Sequence, residues 1–118
     1  MSEIKNSERF ASSLEENLKK ALTELLVLKL LSRKEYYIGE LTDEISQKTD
    51  GKLTIVFPYG AIYRMTGSEY ITESKKQNAP DGRLRQYYKI TDRGRLYLAQ
   101  LETGYRSFLS AVDKILQD

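Results

Sequence analysis

The 118-residue chain contains no cysteine, no histidine and no tryptophan. Without cysteine it can form neither a disulfide nor a thiolate metal site. Without histidine it lacks the commonest general base and the commonest metal ligand, which excludes hydrolases of the Ser-His-Asp and Cys-His types. No constellation of lysine, tyrosine or carboxylate side chains stands out in their place. We therefore expect a protein that is not an enzyme and needs no cofactor or metal.

The chain also has no long apolar run. No segment approaches the ~20 consecutive apolar residues that a membrane-spanning helix needs. The polar start, MSEIKNSERF, lacks the apolar centre of a signal peptide. We therefore expect a soluble, cytoplasmic protein of single-domain size, large enough for a modest core and without a membrane partner.

Charge is unevenly distributed along the chain, although the net charge is only +2. Residues 35–50 hold five acidic side chains and one lysine, whereas residues 75–95 hold seven basic side chains and two acidic ones. Such asymmetry indicates a polyanionic partner near the basic segment more strongly than the overall charge does.

The spacing of apolar residues predicts four helices. Two overlapping capping boxes, at Ser12 and Ser13, favour a first helix that begins near residue 14, after a flexible segment of about residues 1–11. Thr91 is placed to cap the last helix, and Asp92 suits the positive end of that helix dipole. The helices are predicted at residues 14–31, 38–48, 58–67 and 92–116.

The last helix is too long to bury its apolar stripe on so small a domain. At 1.5 Å per residue it extends about 37 Å, and its apolar residues recur at nearly heptad spacing. We therefore predict a homodimer joined by this helix, with residues 92–118 as the dimerisation helix and residues 1–91 as the domain that precedes it. The stripe comprises Leu98, Leu101, Tyr105, Phe108, Val112 and Ile115.

A β-hairpin is predicted before the last helix. Strands at residues 70–77 and 83–90 flank a turn, NAPDG at residues 78–82, that contains proline and glycine. The predicted elements follow the order helix, helix, short helix, hairpin and long helix. This is the order of a winged helix-turn-helix, a mainly α fold whose hairpin is the wing. Residues 1–91 are therefore predicted to be a winged helix-turn-helix DNA-binding domain. Strand alternation predicts an outer face of Arg83, Arg85, Tyr87 and Lys89 and an inner face of Leu84, Gln86, Tyr88 and Ile90.

Four segments carry recognisable motifs: LTELLVLKLL at residues 22–31, Tyr37 followed by Glu40-Leu41, YGAIYRM at residues 59–65, and YYKITDRG at residues 87–94. The last matches the Tyr-Tyr-x-Leu-Thr-x-x-Gly that closes the wing in the PadR family of bacterial transcriptional regulators. The third is similar to that family's Tyr-Pro-x-Leu-x-x-Leu helix, with Gly60 in place of proline. With one terminal helix and no larger C-terminal domain, the chain resembles the family's short subgroup.

The resemblance implies a homodimeric repressor that binds a near-palindromic operator in double-stranded DNA. It also implies release by an effector, often a small aromatic or cationic compound. In some short members a drug lies between the terminal helices and is stacked by tryptophans, a mode that a chain without tryptophan does not share. Tyr97 and Tyr105 are the candidates for an effector pocket, and packing in the dimer core is the alternative for both rings.

DNA contacts are expected from the wing and from the third helix, since phosphate contacts set affinity and base contacts set sequence. Arg64 is the one side chain of that helix able to make a two-pronged contact to guanine, and the resemblance makes Tyr37 a phosphate donor. The helix is poor in Asn, Gln and Arg, so DNA shape is expected to supply part of the specificity. The candidates are Lys75, Lys76, Arg83, Arg85 and Lys89 in the wing, and Tyr37, Tyr59, Tyr63, Arg64 and Thr66 in the helix-turn-helix.

Each of these assignments has an alternative. The basic wing could be a solvated edge strand that resists aggregation, and Tyr59 and Tyr63 could pack in the core. At the level of function, the alternative is a winged-helix module that contacts another protein and has no operator of its own.

Overall fold

In the described part of the chain, four helices and the two strands of the wing follow one another in the predicted winged-helix order, and a two-residue strand precedes the second helix. The structure is a computed structural model that describes residues 2–55 and 58–117, with side chains from residue 13 onward. It confirms a mainly α fold with a small sheet and a long last helix. The elements are α1 (Ser2–Leu31), β1 (Tyr36–Tyr37), α2 (Ile38–Lys48), α3 (Tyr59–Gly67), β2 (Ile71–Asn78), β3 (Leu84–Ile90) and α4 (Asp92–Leu116).

The first helix is longer than predicted. α1 begins at Ser2, so the predicted start near residue 14 is wrong. Residues 2–12 contain neither proline nor glycine, and a serine inside a helix costs only about 0.5 kcal/mol relative to alanine. The capping boxes at Ser12 and Ser13 therefore do not force a helix to begin there. The flexibility predicted for residues 1–11 stays a prediction, and Met1 and Asp118 lie outside the described residues.

The start of α4 is fixed by Thr91, as predicted. Its hydroxyl accepts a hydrogen bond from the Gly94 N–H at 3.0 Å, which is the usual N-cap arrangement. The carbonyl of Tyr70 accepts the Thr91 N–H at 3.0 Å, and the Thr91 hydroxyl donates to the neighbouring Glu69 carbonyl at 2.6 Å. The first turn of α4 is thereby held against the start of the wing.

The sheet is antiparallel, with strand order β1-β3-β2. The sequence predicted only the two wing strands, because β1 has two residues and so shows no alternation that could be recognised. In β1, Tyr36 pairs with Tyr88 and Tyr37 pairs with Tyr87. The start of α2 is therefore fastened directly to the wing.

The hydrophobic core lies where α1, α2, α3 and the base of the wing meet. Its largest fully buried side chains are Val27, Leu28, Leu41, Met65 and Ile71. α4 adds the buried Leu98 near its start, whereas its second half runs out from the core. In the part of the chain that the structure describes, no helix is long and apolar enough to cross a membrane.

Candidate nucleic-acid interface

α3 presents two tyrosines to solvent. Tyr59 is 58% exposed and Tyr63 is 82% exposed, and their spacing of four residues puts them on one side of the helix. The opposite side of α3 is buried through Ala61, Ile62 and Met65. Packing in the core of the chain is therefore not the role of either tyrosine.

Arg64 is exposed but is directed toward α1. Its Nε lies 3.5 Å from Oε1 of Glu24, and the other carboxylate oxygen of Glu24 accepts the Tyr97 hydroxyl at 3.3 Å. The predicted guanine-reading side chain is thus held by an ion pair to a neighbouring helix. Thr66 is exposed too, but its hydroxyl donates to the Ile62 carbonyl at 2.7 Å.

Tyr37 lies at the start of α2, where its N–H donates to Glu40 Oε1 at 3.3 Å. Its ring meets the Tyr87 ring edge-on at a centroid distance of 5.5 Å, and the Arg85 guanidinium lies 5.2 Å from its centre. Burial, followed by the nearby Asp81 carboxylate, raises the pKa of the Tyr37 hydroxyl. The hydroxyl therefore remains a hydrogen-bond donor at neutral pH.

Asp81 organises the tip of the wing. One of its oxygens accepts the Arg83 N–H at 3.0 Å, and the other pairs with Arg85 at 2.9 Å. The backbone hydrogen bond from Arg83, followed by the one from Arg85, holds the pKa of Asp81 below its ordinary value. Gly82 completes the turn at φ +83°, a conformation that favours glycine. Arg85 is therefore half-buried and already paired, while Arg83 is exposed.

The two wing lysines lie on opposite faces of the hairpin. A β-bulge between Glu73 and Lys76 puts Lys75 over the Tyr87 ring, 5.1 Å from its centre. Lys76 instead pairs with Gln86 and so shares the other face. The structure thus joins Lys75, but not Lys76, to the predicted basic face.

Tyr87 belongs to this face as predicted, but it is buried, between Lys75 and Tyr37. Leu84, predicted to point inward, is exposed because it lies near the tip, beyond the core. Alternation assigns a face correctly but cannot tell how far the core extends beneath it. The basic face is formed by Lys75, Arg85, Tyr87 and Lys89, with Arg83 at the adjoining turn.

The wing and the start of α2 meet at Arg85, whose guanidinium lies 5.2 Å from the centre of the Tyr37 ring. Its guanidinium interacts electrostatically with both Tyr37 and Tyr59, although its hydrogen bond to Asp81 is the main cause of its raised pKa. Cations, tyrosine hydroxyls and an exposed helix face therefore lie on adjoining surfaces. Such a surface offers donors for phosphate oxygens and for base edges.

Tyr97 and Tyr105 have different surroundings. The Tyr97 ring stacks on Tyr70 at 4.1 Å and lies against the core of its own domain. Burial, followed by the Glu24 carboxylate, raises the pKa of Tyr97. Tyr105 instead lines a cavity of about 260 Å³ between α1 and α4, together with Phe108. The structure does not bring the two tyrosines into a common site.

The predicted dimer stripe divides into two parts. Leu98 is buried and Leu101 packs against the core, so both serve their own domain. Farther along α4, Phe108 is 69% exposed, Ile115 is 77% exposed and Val112 is also exposed. The second half of α4 therefore carries apolar side chains that the chain itself leaves uncovered.

Sequence reasoning missed Glu24 as part of this region. It lies on α1, far along the chain from Arg64 and Tyr97, and its helical spacing resembles that of any solvent-facing glutamate. Only the packing of α3 and α4 against α1 shows that it contacts both.

Comparisons with known proteins agree with this architecture. The model of the family described as "Transcriptional regulator PadR-like family" matches residues 27–100. A protein of Lysinibacillus sphaericus, itself uncharacterised, is 29% identical over 94 residues, which is 78% of this chain and 85% of that protein.

Among solved structures, a transcriptional regulator from Clostridium thermocellum superposes with a TM-score of 0.74 at 24% identity, covering 83% of this chain and 93% of that one. A PadR-like transcriptional regulator from Bacillus cereus superposes with a TM-score of 0.72 at 24% identity, covering 86% of this chain and 98% of that one. Both are therefore similar to this chain in fold over nearly their whole length.

Proposed function

The chain belongs to the PadR-like family of transcriptional regulators, and from that premise we propose that it is a cytoplasmic repressor that binds operator DNA as a homodimer. A small-molecule effector releases it from the operator. The observation that carries the proposal is the basic wing face packed against Tyr37 at the start of α2, beside an α3 that presents Tyr59 and Tyr63 to solvent. These three elements can contact one stretch of duplex together.

The side chains divide by role. Lys75, Arg83 and Lys89 are exposed and form no ion pair with a carboxylate of the described residues, so they contact phosphates. The Tyr37 hydroxyl donates to a further phosphate. Arg85 mainly orients the wing tip through Asp81, and Lys76, on the other face, contributes least.

α3 enters the major groove with Tyr59 and Tyr63 toward the bases. Arg64 reaches a base edge only after it leaves Glu24. Because an exposed ion pair is worth at most about 1 kcal/mol, DNA can compete for this arginine.

The homodimer forms through the exposed second half of α4, whose uncovered apolar side chains suit a partner helix. The cavity beside Tyr105 is smaller than the roughly 300 Å³ of typical ligand pockets. A second chain packed on α4 would cover this cavity and add its own side chains to the lining, and we place the effector there, between the two protomers.

The proposal is tested by measuring binding to DNA from upstream of the protein's own gene. Fluorescence anisotropy over a range of salt concentrations gives the slope of log affinity against log salt. The variant Arg83→Gln/Lys89→Gln should make this slope less steep by about 2 per protomer. Its affinity for promoter DNA and its affinity for unrelated DNA should fall by the same factor. The charge-matched control Lys20→Gln/Lys114→Gln, changed at exposed sites on α1 and α4, should keep the wild-type slope.

Two results would contradict the proposal. Wild-type protein that does not bind promoter DNA, or binds with a flat salt slope, would favour a protein-contact module. A wing variant that loses preference for the operator but keeps nonspecific binding would show that the wing reads bases instead of phosphates.

A further inference from the structure

An open groove of about 870 Å³ runs beside the wing. One wall is the hairpin, including Tyr87 and the tip residues Ala79 and Pro80. The other wall is the turn after α1 together with the first turn of α4. Five exposed cations from these elements line the groove: Arg33, Lys34, Lys75, Lys89 and Arg95.

None of the five forms an ion pair with a carboxylate in residues 13–55 and 58–117, where side chains are described. The ammonium groups of Lys34 and Lys75 lie over the rings of Tyr36 and Tyr87, at 4.7 and 5.1 Å from their centres. Arg95 makes only a long hydrogen bond, 3.4 Å, to the Ser32 carbonyl. Their charges are therefore available to an anion from outside the chain.

The two acidic residues that line the groove do not neutralise it. Glu40 accepts the Tyr37 N–H, and Glu35 accepts the Ser74 hydroxyl. Because these donors are neutral, both carboxylates keep their charge and offset two of the five positive charges. With five cations against two carboxylates, the groove is positively charged.

We propose that this groove binds the phosphates of DNA that flanks the operator, with Arg33, Lys34 and Arg95 as contacts beyond the wing. The inference rests on the proposed function, because the groove shares Lys75 and Lys89 with the wing's basic face. A phosphate strand that follows that face continues directly into the groove.

The dimensions favour a polyanion over a single small anion. The groove follows β2 from Lys75 to the tip at Pro80, about 17 Å at 3.3 Å per residue. One DNA strand places a phosphate every 3.4 Å along the helix axis, so about five phosphates span that length. A small anion would need donors that converge on one point, whereas these cations come from three separate elements.

The test compares two duplexes that share the operator mapped with wild-type protein. The short duplex ends at the operator, and the long one continues about ten base pairs on either side. Arg33→Gln/Lys34→Gln should make the salt slope on the long duplex less steep by about 2 per protomer. The salt slope on the short duplex should not change. The Lys20→Gln/Lys114→Gln control should change neither slope, and circular dichroism and sedimentation check that all variants keep fold and assembly.

The outcomes separate this inference from the proposed function. Wild-type binding with a steep salt slope that Arg33→Gln/Lys34→Gln leaves unchanged on the long duplex would overturn the groove and leave the repressor standing. If the salt slope became equally less steep on both duplexes, these residues would contact the operator itself, and the proposal that they contact flanking DNA would be wrong. Absence of salt-dependent binding by wild-type protein would overturn both. If Arg95→Gln reproduces the length-dependent loss, the groove acts as one surface.

Discussion

Replacement of Gly94 by alanine should destabilise the fold severely. A Cβ at this position would lie 2.0 Å from the Tyr70 carbonyl oxygen and 2.8 Å from Cγ1 of Ile90. An ordinary carbon-to-oxygen contact is about 3.3 Å, so α4 and the start of the wing would have to separate by roughly 1.3 Å. That separation would break the hydrogen bond from the Thr91 N–H to the same carbonyl and the one from the Thr91 hydroxyl to the adjoining Glu69 carbonyl.

The loss in free energy of unfolding can be estimated from these contacts. Two hydrogen bonds contribute about 1 kcal/mol each, and strain in a packed site adds about 1–3 kcal/mol. Alanine regains up to about 1 kcal/mol of helix propensity, so Gly94→Ala should lose roughly 3 kcal/mol. For a domain of this size that lowers Tm by about 10 °C or more.

Urea and thermal unfolding, followed by circular dichroism, measure this loss. Gly104→Ala is the matched control, because it lies on the same helix and a Cβ there meets nothing within 4 Å. It should hold or slightly raise the stability, by up to about 1 kcal/mol. A Gly94→Ala protein that unfolds within 2 °C or so of wild type would refute the close approach of α4 to Tyr70.

Two further predictions concern binding and assembly. Glu24→Gln should raise DNA affinity by releasing Arg64, whereas Glu102→Gln, which breaks a comparably exposed ion pair on α4, should raise it less. Equal gains in anisotropy titrations would mean that only net charge changed. Phe108→Ser/Ile115→Ser should yield a folded monomer in sedimentation equilibrium, since both side chains are exposed within one chain, and its Tm should no longer rise with protein concentration as that of the dimer does. A dimer that persists would place the interface elsewhere.

Much of the fold could be predicted because local signals fix it. Thr91 before an apolar stripe set the start of α4, and α2 has the predicted bounds, residues 38–48. Proline and glycine in the wing turn, at residues 80 and 82, fixed the hairpin. Each of these depends on residues within a few positions of one another, so a single sequence contains the information.

The remainder depends on contacts between distant parts of the chain. β1 exists because Tyr36 and Tyr37 pair with β3, about fifty residues later. The link from Glu24 to Tyr97 spans 73 positions. Arg33, Lys34 and Arg95 lie beside the wing because α1, β1 and the start of α4 all pack on it, and the first two are far from β2 and β3 in sequence. No periodicity or motif reports such proximity, and so these surroundings could not be predicted from the sequence.

The bulge in β2 has a consequence for how the wing tolerates change. If the strand straightened and absorbed the bulge, the pairing beyond Glu73 would slip by one residue, and each side chain there would exchange faces. Lys76 would then take the outer face and Lys75 the inner one. Because the two lysines are adjacent, a lysine faces the duplex in either register. The two adjacent lysines therefore keep a positive charge on the outer face of the wing when the register shifts by one residue. Register errors and single-residue insertions near the bulge need not abolish binding of the wing to a polyanion.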